Sequence, residues 1–266
     1  MAVRRVGNTA AWAVAVLLLV VPIVVLGIQA LATGWFFPQV IPDQVGVGTL
    51  RDVVADSATR SAMGEGIAVS ALAALVSLAL AVPAARALAL GRVRHRRAIG
   101  LVLMVPIVMP PLAIAMGLNV ALIRAGVAGT LAAVVLAHQV ATLPYAILVL
   151  TALLMRYDVR HEQQAQSLGA GTARILTHVF LPLAAPALIV AGCITFIVSW
   201  SQYLLTLLPG AGDVITPPIL VLAAASGGNP TATAAIALVT AIPPAFAVLL
   251  ALRFMNAPPR WAGASG

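Results

Sequence analysis

The chain has no lysine, a single cysteine and little charge of either sign: 15 arginines and 7 acids in 266 residues, 8% charged against 62% hydrophobic. A water-soluble domain carries roughly 25% charged residues to keep its surface hydrated. With a mean hydropathy of +1.08, most of this chain must instead have lipid as its solvent. The lack of lysine excludes a P-loop lysine and a Schiff-base lysine. No G-x-x-x-x-G-K-[ST] loop is present either, so the chain is not expected to cradle nucleotide phosphates, and no cofactor of its own is expected. The lone Cys193 rules out an intrachain disulfide and any multi-cysteine metal site, and its apolar surroundings read as those of a buried thiol.

What the sequence does have is long apolar runs. A span needs about 20 mostly apolar residues to cross roughly 30 Å of hydrocarbon. Such runs fall at about 9–32, 64–89, 99–121, 127–153, 183–207 and 230–252. The first is too long for a signal peptide and ends in no small-residue cleavage site. The expectation is one all-α membrane domain over residues 1–266, with about six transmembrane helices. Cytoplasmic loops retain arginine, and all but Arg51, Arg60 and Arg124 fall on one side if the N-terminus is inside. Both termini are then cytoplasmic. The net charge of +8 is a topology signal, so the bilayer and not nucleic acid is the expected partner. Pro106, Pro110, Pro111, Pro144, Pro243 and Pro244 interrupt the spans; the carbonyls they free need a neighbouring helix or a cavity. Trp35, Phe36 and Phe37 fit an interfacial anchor.

One inner connection, residues 156–182, is too polar to span and too patterned to be slack: RYDVRHEQQAQSLGAGTARILTHVFLP. Glu162–Leu168 suits a short helix, and Gly169 and Gly171 permit a sharp turn. A second helical stretch, Ala173–Phe180, leads to Leu181-Pro182. The result is an elbow on the cytoplasmic face, suited to docking a protein.

In this stretch the chain resembles the permeases of type I, binding-protein-dependent ABC importers. Their signature is a Glu-Ala-Ala stretch, a Gly after a short gap, and Leu-Pro about a dozen residues on. Ala165, Gly169, Leu181 and Pro182 fall in that register, while Gln163 and Gln164 replace the Glu and first Ala and Glu162 stands one place early. Ala137-His138, Leu143-Pro144-Tyr145, Phe196-x-x-Ser199 and Gly228-Asn229-Pro230 agree with the family as well. The resemblance implies a type I importer permease fold in a bacterial cytoplasmic membrane. It implies a second permease (sister or self), an extracytoplasmic binding protein, and an ATP-binding cassette subunit that binds the ATP. The elbow (Glu162, Gln163, Gln164, Ala165, Gly169, Arg174, Leu181, Pro182) would couple to that subunit. Leu168-Gly169-Ala170 resembles the polyamine, thiamine, ferric-ion and oxyanion groups more than the Asp-Gly-Ala of sugar permeases. A polyamine-like substrate is the first expectation.

Polar residues inside spans are costly and often functional. Ser199, Gln202, Tyr203 and Thr206 recur at three- and four-residue spacing, on one face of a helix, and His138 and Gln139 sit mid-span. They line a substrate path or hydrogen-bond the helices together. Glu65, flanked by Gly64 and Gly66, favours a helix N-terminus or meets substrate or binding protein. His161-Glu162-Gln163-Gln164-Ala165 lacks the second histidine of H-E-x-x-H, so no metal site is expected. The competing class is an intramembrane enzyme, a serine–histidine protease pairing His138 with Ser70, Ser77 or Ser199.

Overall fold

The computed structural model describes residues 2–32, 35, 42, 44–91 and 93–255, with 2–15 and 19 by backbone alone. Expectations for Phe36, Phe37, Asp43, Arg92, Arg260 and the C-terminal end lie outside the described residues. Apart from one antiparallel bridge between Ala32 and Val45, every regular element described is helical. In chain order these are α1 Ala2–Leu31, α2 Gly48–Ala55, α3 Ser57–Ala89, α4 Arg96–Val108, α5 Pro111–Arg124, α6 Leu131–Leu154, α7 Arg160–Ser167 and α8 Thr172–Ile175; a π-helical turn, Leu176–Phe180, leads into α9 Leu181–Trp200, then α10 Leu204–Gly210, α11 Pro217–Ser226, α12 Pro230–Thr240 and α13 Ile242–Met255.

Among the described residues, four stretches are long and apolar enough to cross a bilayer: Ser57–Ala89, Leu131–Leu154, Thr172–Trp200 and Pro230–Met255. The α4–α5 pair adds a fifth if counted as one broken span, and Val16–Leu31 is a shorter apolar helix. This is an all-helical, multi-pass membrane protein, consistent with the six-span expectation.

Helix boundaries follow local chemistry. Asp56 opens α3 by accepting from the Thr59 amide (2.7 Å) and hydroxyl (3.0 Å), and these bonds hold its carboxyl below the ordinary value. Thr130 caps α6 through the Ala133 amide at 3.1 Å. Asn229 caps α12 through the Ala232 amide at 3.0 Å, with Pro230 in the first turn, where a missing N–H costs nothing.

Two expected spans end differently. The third, expected unbroken over 99–121, turns through 93° between α4 and α5. Proline pushes the residue before it into extended backbone, and Pro110-Pro111 does this twice over, at Met109 (ψ 145°) and Pro110 (ψ 124°). The fifth, expected to reach 207, stops at Trp200. Ser201 Oγ and Gln202 Nε2 both donate to the Val198 carbonyl at 2.9 Å, competing with the helical ladder there.

The helices fall into two compact units, Met1–Met63 with Pro217–Ile242 and Gly64–Thr216 with Pro243–Gly266. In the first, α12 packs along α1 and against α2 and α11, burying Ala30, Val53, Ala234, Ala235 and Ile236. In the second, α6 packs along α9 and contacts α4 and α10. Its largest core joins Ala81, Ala85, Ala146, Leu150, Phe180, Ala184 and Ala191. Small residues let backbones approach closely, which is how helices associate where lipid is as apolar as leucine.

Candidate functional site

The elbow is built from α7, α8 and the π-helical turn. Helix α7 covers Arg160–Ser167, against an expected Glu162–Leu168. Gly169 then takes φ +83° and reverses the chain. A Cβ there would touch nothing within 4 Å, so glycine is demanded by backbone angle, not by space. Gly171 has φ −71° and needs no glycine freedom. Gln163, Gln164, Gln166, Ser167, Gly169, Arg174, Leu181 and Pro182 are exposed, and Ala165 is half-buried. At the tip of the turn, Leu168 is 89% exposed.

Glu162 points the other way. Its two carboxylate oxygens accept from both terminal nitrogens of Arg86 on α3, each at 2.8 Å, the fork-to-fork geometry of the strongest ion pairs. The Arg86 guanidinium lies 4.3 Å over the Phe180 ring at the end of the π-helical turn. Tyr157 meets the same ring edge-on, at 5.5 Å and 71°. Burial and the Glu162 carboxylate hold the Tyr157 phenol above its ordinary value. Sequence reasoning counted Arg86 only as an inner-side charge. Its position at the end of a span was the one available signal.

A cavity of about 260 Å³ opens where α4 and α5 bend. Pro106, Ile107, Met109, Pro111 and Ile114 of the bend face Ala141 and Tyr145 of α6 and Val198, Ser201 and Gln202 at the end of α9. The two prolines that break the third span therefore create the space, and Gln202 is the candidate path residue that lines it. Tyr203 is half-buried and precedes α10, outside the lining.

His138 and Ser199 sit elsewhere, each 1% exposed. His138 Nδ1 is 2.8 Å from Ser199 Oγ and Nε2 is 3.0 Å from Thr206 Oγ1. The Thr206 proton goes to the Gln202 carbonyl at 2.9 Å, so Thr206 accepts from His138 Nε2–H and Ser199 donates to Nδ1. A neutral imidazole satisfies all three groups. One turn along, Ser77 Oγ meets Gln139 Oε1 and Thr142 Oγ1, both at 2.7 Å. The Gln139 amide donates to the Ala73 and Val135 carbonyls. These networks stitch α3, α6, α9 and α10 together. The Ser199–His138 pair has the spacing of a nucleophile and base, but it is sealed from the cavity and its second nitrogen is spent on a threonine. A hydrolase needs an exposed hydroxyl and a carboxylate or equivalent to orient the imidazole.

Glu65 accepts from the Ile215 amide at 2.7 Å, fixing the segment before α11.

The model of the family "Binding-protein-dependent transport system inner membrane component" matches residues 77–257. A Streptomyces antibioticus protein named as an ABC transporter permease, ORF1, is 27% identical over 209 residues, covering 78% of this chain and 91% of that one. The inner membrane ABC transporter permease protein YnjC of Escherichia coli K12 is 32% identical over 127 residues, covering 48% of this chain and 25% of YnjC. A chain of a bacterial ABC transporter involved in importing the acidic polysaccharide alginate superposes with a TM-score of 0.73 at 18% identity, covering 96% of this chain and 97% of that one. That likeness is one of fold.

Proposed function

The chain belongs to the family of inner membrane components of binding-protein-dependent transport systems, as an ABC transporter permease and a transport component, not an enzyme, and on that premise we propose that its elbow docks a separate ATP-binding cassette subunit while its spans form the substrate path. The observation that carries this is Leu168, a leucine 89% exposed on a polar segment and held there by the left-handed backbone of Gly169. Presented at the tip of the turn, this side chain can fill the apolar centre of an interface with a partner. Exposed Gln163, Gln164 and Gln166 beside it supply neutral hydrogen-bonding contacts around the leucine. ATP-driven closure of the partner would move α7, and with it the start of α9.

The cavity lined by Gln202, Ser201 and Tyr145 is the proposed stretch of substrate path within this chain, and the networks around His138 and Gln139 brace the helices around it. Ser199 and Tyr203, the other span-five candidates for the path, stand beside Gln202 in sequence, and the Gln202 side chain is held by the Val198 carbonyl. An extracytoplasmic binding protein, and a second permease that is a copy or a sister of this one, complete the transporter in the bacterial inner membrane. The polyamine-like substrate rests on the Leu168-Gly169-Ala170 resemblance.

Affinity purification of the tagged chain from its own membranes tests the docking. An ATP-hydrolysing subunit should co-purify, and Leu168→Asp should lower its recovery several-fold while the permease still inserts. Recovery of the wild-type chain with no ATPase subunit would overturn the reading.

A further inference from the structure

We propose that Arg86 is a positioning residue for coupling: it ties the elbow helix α7 directly to the inner end of α3, so that movement of the elbow is delivered to two spans and not only to α9. The proposal rests on the docking role given to the elbow above. Along the chain, α7 leads to α9 only through the Gly169 turn, α8 and the π-helical turn. A load entering at α7 therefore reaches α9 through a glycine hinge and a turn with an irregular ladder, reaches α6 through the short link from Met155 to Val159, and has no covalent route to α3 except through those spans. The Arg86–Glu162 fork, two 2.8 Å bonds, bypasses that route. The pair is largely shielded, with 24% of the Arg86 side chain and 12% of the Glu162 side chain exposed, so solvent screens it less than a surface pair. A planar guanidinium held at both nitrogens resists rotation as well as separation.

The same guanidinium packs 4.3 Å over Phe180, a fully buried ring whose edge is met by Tyr157. Arg86 thus touches both ends of the elbow at once, α7 through Glu162 and the entry to α9 through Phe180. Tyr157, at the exit of α6, completes the cluster. One arginine therefore joins the inner ends of α3 and α9 to the docking helix, with Tyr157 of the α6 exit packed on the same ring. The register shift of a π-helical turn commonly marks a functional position; here it falls on the five residues that end in Phe180.

Two spin labels on Arg160→Cys, on the exposed start of α7, and Ala89→Cys, in a Cys193→Ala background, test this on the whole transporter with its ATPase subunit. Their separation is measured without nucleotide and after trapping ATP with vanadate. The proposal predicts an unchanged separation in the otherwise native protein, because α7 and α3 travel together. In Arg86→Gln the separation should shift by about 2 Å or more, the scale of helix displacements in such transitions. The exchanged pair Arg86→Glu with Glu162→Arg should restore the native behaviour. A native separation that changes on trapping, or an Arg86→Gln separation that does not, overturns the proposal. Glu162→Gln, which leaves Arg86 on Phe180, is the second variant. If both single variants fail to assemble with the ATPase subunit, the pair is a folding element and the proposal falls. If the native complex traps no nucleotide at all, the docking role of the elbow falls instead.

Discussion

Replacing His138 with phenylalanine keeps a ring of similar size in a fully buried place and removes both of its hydrogen bonds. Ser199 Oγ loses its acceptor at 2.8 Å and Thr206 Oγ1 loses a donor at 3.0 Å. The penalty is moderated in both cases. Thr206 still donates to the Gln202 carbonyl, and a serine inside a helix can turn its proton to the carbonyl one turn back. Side-chain bonds between membrane helices average about 0.6 kcal/mol and reach about 1.7. Two of them put the loss at about 1–3 kcal/mol. At about 2–4 °C per kcal/mol for a chain of this size, Tm should fall by about 2–12 °C. The protein supplies its own probe: Cys193 is its single cysteine and is buried, so a thiol-reactive fluorophore reads unfolding during a thermal ramp. Uptake per assembled complex should be unchanged. A His138→Phe protein with native Tm and altered transport kinetics would refute the bracing role and place His138 on the path.

Gly169→Val forces a β-branched residue into φ +83°, at a cost of about 1–2 kcal/mol or more, and should abolish binding-protein-stimulated ATPase activity without loss of insertion, as membrane fractionation and hydrolysis assays would show. Gln202→Leu should leave Tm close to native while shifting the concentration dependence of uptake by roughly two- to twelve-fold, the value of one polar contact of about 0.5–1.5 kcal/mol. Tyr157, whose neutral form is favoured by burial and by Glu162, should ionise above pH 10 in the folded protein, followed by absorbance at 295 nm. Because its folded value is raised, its contribution to stability is full below about pH 10, the unfolded value, and is lost only as pH climbs through the folded one. Glu162→Gln should bring its titration back toward the ordinary value.

Hydropathy made the long helices legible, since a bilayer-spanning run has few alternatives, and the Gly-to-Leu-Pro spacing made the elbow legible for the same reason: it is local. Prolines were harder. Pro106, Pro144 and Pro186 lie inside helices that continue past them, whereas Pro110-Pro111 turns its span through 93°. There both residues that precede a proline, Met109 and Pro110, are extended, whereas the equally adjacent Pro243-Pro244 falls in the first turn of α13, where a missing N–H is tolerated. The end of α9 was misjudged because Ser201 and Gln202 read as helix-compatible, while their bonds to Val198 become visible only in three dimensions. The Arg86–Glu162 pair joins residues 76 apart in sequence and His138–Thr206 residues 68 apart. Nothing in either local pattern announces its partner, so the face of span five read as one set divides in space between a cavity and a buried network.

The most direct test of the account is the reactivity of Leu168→Cys, in a Cys193→Ala background, toward a membrane-impermeant maleimide. In inside-out vesicles stripped of peripheral subunits the thiol should label readily, in keeping with the 89% exposure of Leu168. Adding back the ATPase subunit should protect it, and right-side-out vesicles should not label. Labelling from the outer face, or equal labelling with and without the ATPase subunit, would contradict the elbow as its docking site.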